Sequence, residues 1–378
     1  MCCTSPWSFV LVATSCLFAS TTATAHVPRE LSPSWTNNLA DPVATPAVEE
    51  RGGQQHSTEE LRRTVDAKVL GRLKRSIQDH VHLVESGERA ARPFVTLTYA
   101  QSIDGSIAAA DKSQVSLSGK ETQVMTHGLR SIHDAILVGA GTVRQDNPRL
   151  NVRHWPPRDP SLSTHQRDSK DDALDKPVTS AREGNEFVSG LSPRAVILAD
   201  SLSALPRRMR MGGAVIFTNL SSPDAWRWLA EWASRSREGS EDRAANSFVI
   251  VHCRLTVDGR CNVRDCLGKL YSMGFRSLMV EGGATVISSF LRGLDHDSVE
   301  GEGTFCREGG NLVDRVVVTI TPTFLQGYNV LAEPKASAEG AIADGASGFP
   351  LHLCDVSYIQ LGEDIVAIGE PGNYEDSR

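Results

Sequence analysis

From residue 94 to residue 368 one pattern recurs: a short apolar run, a polar turn, then a stretch whose apolar positions fall three or four apart. The apolar runs lie at 94–99, 135–138, 195–198, 214–217, 248–251, 277–280 and 315–321, and the runs at 356–361 and 365–368 close the series. Runs this short, rich in Val and Ile, predict strands, and those without alternation predict strands covered on both faces. Residues 118–131, 263–273 and 284–294 carry helical spacing, with Ser118 placed to cap the first. Strands alternating with helices predict an α/β domain on a mostly parallel central sheet flanked by helices.

The flanks read differently. Val65, Val69, Leu73, Ile77 and Val81 recur every four residues and predict an amphipathic helix over 61–85. Ahead of it the chain is polar, apart from an apolar run at 8–19 that is short for a membrane span and is followed by the small residues Ala23, Thr24 and Ala25. That is the outline of a cleavable targeting segment over 1–25, although no Lys or Arg precedes the run. The expected division is therefore a leader and extension over 1–90 and a domain over 91–370, in the cytoplasm or an organelle. Polar stretches near 155–192, 234–246 and 295–310 interrupt the domain, and strand signals on both sides make them surface insertions. No internal repeat is visible.

Charge and cysteines narrow the function classes. A formal net charge of -7 and 22% charged residues argue against a general nucleic-acid or anionic-membrane binder, which needs a basic field. Stable membrane association is not expected of the mature chain. A few arginines in one cleft can still oppose the global sign. The eight cysteines include no CxxC pair, and no His cluster has zinc-site spacing, so reduced thiols and no metal are expected. His127, His133 and His252 share no spacing that brings them together, and they receive no role.

Three segments could carry chemistry. In DAILVGAGTVRQDNPRLNVR, residues 134–153, a buried strand runs into Gly139, Ala140 and Gly141, whose small size admits close approach to the backbone. Thr142 and Asp146, four apart, share one face of any helical turn that follows. Ligands of open α/β sheets bind beyond the carboxyl ends of strands, where this loop should lie. A glycine turn with Thr142 or Asp146 merely capping a helix would account for the segment equally well. In VEGG, residues 280–283, an apolar strand ends in an acid and two glycines open a helix whose free N–H groups can hold a phosphate. A tight strand-to-helix turn with Glu281 in solvent is the plain alternative. The third segment, 98–108, turns at Asp104 and Gly105, and a bend without catalytic role explains it as well.

Taken in order, PFVTLTYAQSIDG (93–105), GLR (128–130), the 134–153 run, VEGG (280–283) and DRVVVTITP (314–322) resemble the reductase family of riboflavin biosynthesis. That family comprises stand-alone reductases of fungi and archaea and the C-terminal half of the bacterial deaminase-reductase. The fungal type is the nearest match, and no deaminase signature is present. The resemblance implies a dihydrofolate-reductase-like fold, NADPH as cofactor and a homodimer. By matching positions it implies that Thr142, Asp146, Gly283, Ala284, Thr285, Val286 and Ile287, with Val263 as a weaker match, contact the cofactor. It implies that Arg130, Leu150, Arg153 and Glu281 face a phosphorylated pyrimidine. The implied reaction reduces 2,5-diamino-6-ribosylamino-pyrimidinone 5′-phosphate to its ribitylamino form, after the ribosylamine opens to an imine. Arg153, with Arg130 beside it, suits the phosphate, because a guanidinium fork matches its oxygens. Glu281 or water would supply the proton. A related reductase acting on a pterin or another heterocycle, and a non-catalytic scaffold of the same fold, are the competing readings.

Overall fold

The computed structural model describes residues 10–13, 57–156, 192–206, 208–235, 248–292, 311–329 and 351–373. The strands are β1 (Val10–Ala13), β2 (Phe94–Ser102), β3 (Ser106–Ala108), β4 (Ala135–Gly139), β5 (Arg194–Leu198), β6 (Ala214–Thr218), β7 (Phe248–His252), β8 (Ser277–Val280), β9 (Arg315–Thr321), β10 (Tyr328–Asn329), β11 (Leu351–Leu361) and β12 (Asp364–Asn373). The helices are α1 (Thr58–Val65), α2 (Gly71–Glu85), α3 (Lys120–Ile132), α4 (Ala140–Asp146), α5 (Pro223–Arg235), α6 (Val263–Ser272) and α7 (Ala284–Arg292).

Among the described residues ten strands form one sheet in the order β1-β7-β6-β5-β4-β8-β2-β9-β12-β11. From β7 to β9 neighbours run parallel, and the edges add antiparallel β1 on one side and the β12–β11 hairpin on the other. The expected α/β architecture, a mostly parallel sheet flanked by helices, is what forms. Strand β4 shows why. Ala135 and Leu137 face a core built with Leu267 and Leu270 of α6 and Phe290 of α7, whereas Ile136 and Val138 face one built with Val143 of α4 and Leu229 of α5. A strand covered on both sides has no polar face to display, hence its unbroken apolar sequence. Free Cys253, Cys261 and Cys266 are buried in the α6–α7 core as small apolar groups.

Two expectations need correction. Helix α2, with α1 ahead of it and a π-helical turn over Asp66–Leu70 between them, is no extension. Val65, Val69, Leu70 and Leu73 pack with Met125 and Leu129 of α3 and with Phe94, Met279 and Val317 of the sheet. These helices therefore belong to the packed domain, because a helix whose apolar stripe meets an uncovered part of the sheet is recruited into the core. Second, α5 was not foreseen: Trp226, Trp228 and Trp232 obscure its helical spacing, although Trp228 and Trp232 pack at a tilt against Phe248. Strand β1 falls inside the run read as a targeting segment, and it pairs with β7 from Val10↔Val251 to Ala13↔Phe248. The polar insertions lie mostly outside the described residues.

Candidate active site

Adjacent strands place two turns side by side. Leu137 of β4 is level with Val280 of β8, and the Glu281 amide extends the ladder by donating to the Leu137 carbonyl at 3.0 Å. The chain leaves β4 for α4 through Gly139, and leaves β8 for α7 through Gly282 and Gly283. Val286, on the first turn of α7, fills the space between the turns: a Cβ on Gly139 would stand 2.8 Å from its Cγ2, and one on Gly282 would collide with it. Close approach therefore demands glycine at both positions. Thr142 joins the same junction, its Oγ1 3.1 Å from where a Cβ on Gly283 would sit.

This junction brings together Thr142, Gly283 and Val286, three of the residues expected around a cofactor. The first intrahelical bond of α7 runs from the Ile287 amide to the Gly283 carbonyl at 3.1 Å, so Ala284, Thr285 and Val286 keep N–H groups with no helical partner. The side chains of Val286 and Ile287 are buried in the core, leaving Val286 only its amide to offer and Ile287 a packing role. Around Gly141 the space is open. Thr142 and Asp146 lie half-buried along α4, and their side chains bond to no described residue. Burial pushes the Asp146 carboxyl up. Val263, first residue of α6, is buried and lines a shallow cleft with Ser289 and Leu312.

The residues expected at the substrate form a second group, with two surprises. Arg130 of α3 meets Glu281 as a fork, with Nε to Oε1 at 2.7 Å and Nη2 to Oε2 at 2.6 Å, and its Nη1 donates to the Asn151 carbonyl at 3.2 Å. Burial opposes the Arg130 charge, the Glu281 carboxylate favours it, and the net direction is upward. The pair thus brackets α3, the end of β8 and the 151–155 loop together. Both Glu281 oxygens accept from Arg130, an arrangement ill suited to giving away a proton. Leu150, at a left-handed φ of 53°, buries its side chain with Ile136 and Val143, so only its backbone can border an open site.

Arg153 is different. Its side chain is exposed, and Nη1 donates to the Asn151 Oδ1 at 2.7 Å. Partial burial and the nearby charges of Arg130, Arg149 and Arg210 hold its guanidinium below the usual value. Among the described residues, Arg149, Arg153 and Arg210 form no ion pair with a carboxylate, so a local positive field stands unbalanced in an acidic protein. Sequence reasoning overlooked His127, whose Nδ1 accepts the Arg153 main-chain N–H at 3.0 Å. The signal was its spacing: three residues before Arg130 in a helix, it shares that residue's face. Among the described residues no cluster of His, Cys, Asp and Glu could hold a metal, and no helix is long and apolar enough to cross a membrane.

The RibD C-terminal domain family model matches residues 93–367. A Debaryomyces hansenii protein named 2,5-diamino-6-ribosylamino-4(3H)-pyrimidinone 5′-phosphate reductase is 30% identical over 249 residues, covering 65% of this chain and 82% of the relative. The Eremothecium gossypii protein of the same name is 32% identical over 250 residues, covering 65% and 80%. Among solved structures, the Saccharomyces cerevisiae riboflavin biosynthesis reductase Rib7 is similar with a TM-score of 0.44 and 23% identity, covering 78% of this chain and 98% of that one.

Proposed function

The chain belongs to the RibD C-terminal domain family, and from that premise we propose that it reduces 2,5-diamino-6-ribosylamino-4(3H)-pyrimidinone 5′-phosphate, with NADPH as the reductant. The observation that carries the reading is a juxtaposition. The junction of Thr142 with the α7 start and the arginines around Arg153, which form no ion pair among the described residues, are tied into one site by the Arg130–Glu281 fork.

The residues fit a nicotinamide dinucleotide. Free N–H groups of Ala284, Thr285 and Val286 at a helix start suit a diphosphate, and the close packing of Gly139 and Gly282 on Val286 brings that start up to α4. Open space beside Gly141, with the Thr142 hydroxyl and Asp146 carboxylate that bond to no described residue, leaves room and partners for the remainder. When bound, the nicotinamide supplies hydride. The protein's own residues do the rest: Arg153 holds the substrate phosphate through charge-assisted hydrogen bonds, and this fixes the sugar carbon that must accept the hydride. Glu281 acts as a positioning residue, holding Arg130 and through it the Asn151 carbonyl, while water at the open side provides the proton. Val263 borders the cofactor with its amide alone. The family resemblance also supports a homodimer, which sedimentation velocity of the full chain tests.

The direct test mixes the full chain, NADPH and the ribosylamino-pyrimidinone phosphate and follows NADPH absorbance. Turnover is expected, and Asp146→Ala should weaken NADPH binding at least tenfold while moving the melting temperature little. No turnover by well-folded protein sinks the reading, and equal NADPH affinity in the variant removes Asp146 from the site.

A further inference from the structure

We propose that His127 is the positioning residue for Arg153: by accepting the Arg153 main-chain N–H at Nδ1, it sets the point from which that arginine reaches the substrate phosphate. The proposal rests on the phosphate-binding role given to Arg153 above.

The Arg153 side chain is exposed, and among the described residues its hydrogen bond, to Asn151, comes from its own loop. What anchors the loop to the rigid body is therefore decisive. Helix α3 anchors it at three positions, 127, 128 and 130. His127 is 4% exposed and accepts from the Arg153 amide at 3.0 Å. Gly128 lets Trp155 pack flat on the helix, since a Cβ there would stand 3.0 Å from both the Trp155 ring and Leu70. Arg130 holds the Asn151 carbonyl at 3.2 Å. His154 closes edge-on over the His127 ring, with centroids 4.7 Å apart. Ser192 holds the Val152 amide at 3.1 Å and Arg62 of α1 reaches the His154 carbonyl at 3.4 Å, but at Arg153 itself the loop is held by His127.

An acceptor at Nδ1 requires neutral imidazole with its proton on Nε2. Burial, together with the charges of Arg130, Arg153 and His154, pushes the His127 pKa down to about 3, so that form persists at working pH. A protonated ring would lose the lone pair that holds Arg153 and add repulsion beside it.

The test uses a substitution pair that separates hydrogen bonding from filling space. In His127→Asn the Oδ1 can take the place of Nδ1, whereas His127→Gln carries its polar atoms too far out. Both variants, with Arg153→Ala and wild type, are measured for ribose 5-phosphate affinity by calorimetry and for KM and kcat with the phosphorylated substrate. One backbone hydrogen bond is a modest net contribution, so His127→Gln should weaken ribose 5-phosphate and raise KM about three- to tenfold with kcat and NADPH affinity nearly unchanged. His127→Asn should stay within about twofold of wild type. Equal behaviour of the Asn and Gln variants, or a fall in kcat and cofactor affinity alongside KM, overturns the positioning role. Should Arg153→Ala bind ribose 5-phosphate as wild type does, the phosphate reading itself fails, and the proposal falls with it. A defect in Arg153→Ala with none in His127→Gln defeats the His127 proposal alone.

Discussion

Arg92 and Arg153 are both arginines beside strands of one sheet, yet they meet opposite electrostatic surroundings. Ahead of β2 and β9, Arg92 closes on the buried Asp314 carboxylate with Nη1 at 2.6 Å and Nη2 at 2.8 Å, and the Val95 amide donates to the same carboxylate at 2.8 Å. Arg89 and His80 approach it too. Ahead of β4 and β8, Asp134 similarly collects the Arg276 and Ser277 amides and the Ser277 hydroxyl. Around Arg153, three arginines lack a carboxylate partner among the described residues. Charge is thus settled where the fold is assembled and, among the described residues, left unsettled where we propose that an anion binds. A buried charge without its partner is costly, whereas an exposed unbalanced one costs the fold little and attracts an anion.

The contrast predicts which changes harm the fold and which harm only function. Excising residues 58–85 should do most. It removes His80 and the buried Val65, Val69, Leu70, Leu73 and Val84. At about 1.5–3 kcal/mol for each buried side chain, the loss is comparable with the whole stability of an ordinary domain, about 5–15 kcal/mol. Urea titration should show no cooperative transition. A normal one would return α1 and α2 to the status of an extension.

Next in size is Asp314→Ala, which strands Arg92 and the Val95 amide. Removing one partner of a buried pair costs about 3–5 kcal/mol, read from the urea midpoint, and KM of the surviving folded enzyme should be unchanged. A raised KM with wild-type stability would mean that Asp314 serves the site.

Arg153→Ala should reverse that profile. Loss of a charge-assisted phosphate contact worth about 1.5–3 kcal/mol lowers kcat/KM about ten- to more than a hundredfold. Stability should stay within about 0.5 kcal/mol, since the side chain is exposed. Arg153→Lys should recover part of the loss, having charge without the fork. A stability loss like that of Asp314→Ala would erase the distinction between the two regions.

Much of this was legible in the sequence, for identifiable reasons. Strands β4 and β8 announce themselves because burial on both faces leaves only apolar residues, and the glycines after them because Val286 tolerates no Cβ at 139 or 282. Thr142 and Gly283, which the resemblance assigns to one cofactor, stand side by side, since adjacent parallel strands bring their outgoing turns together. What the sequence concealed is pairing. Nothing in the spacing of Arg130 and Glu281 tells that each satisfies the other across 151 residues of chain. Nor does it tell that Leu150 turns into the core, or that an amphipathic stripe over 61–85 has part of the sheet to cover. Those facts depend on which surfaces meet, which local periodicity does not encode.

The smallest predicted effect concerns protons, and it touches the core and the Arg153 loop alike. His133 is enclosed, with Nδ1 at 2.7 Å from the Leu129 carbonyl and Nε2 at 2.8 Å from Thr96 Oγ1, and burial pushes its pKa down to about 4. His127 is pushed down to about 3 by burial and by its cationic neighbours. In the unfolded chain both return to about 6.5. Above that pH the histidines are neutral in both states, and the native form has its full stability. As pH falls below about 6.5 the unfolded chain takes up protons that the native form refuses, so stability drops, and the drop ends only near the folded pKa values. Each such histidine contributes a slope of up to one proton, so the pair together lower stability by about 2–3 kcal/mol between pH 5.5 and 4.5, His133 contributing the less as pH nears its folded value. Carboxylates add their own dependence in that range, but a difference between variants cancels it. His127→Asn keeps the acceptor and loses the titration, so its slope should be shallower than wild type by one proton, with little change in stability at pH 7. Urea unfolding at pH 7, 5.5 and 4.5 measures this directly. Identical slopes would mean that His127 takes up its proton as readily in the native protein as in the unfolded chain, and an imidazolium at that position could not be the acceptor that holds Arg153.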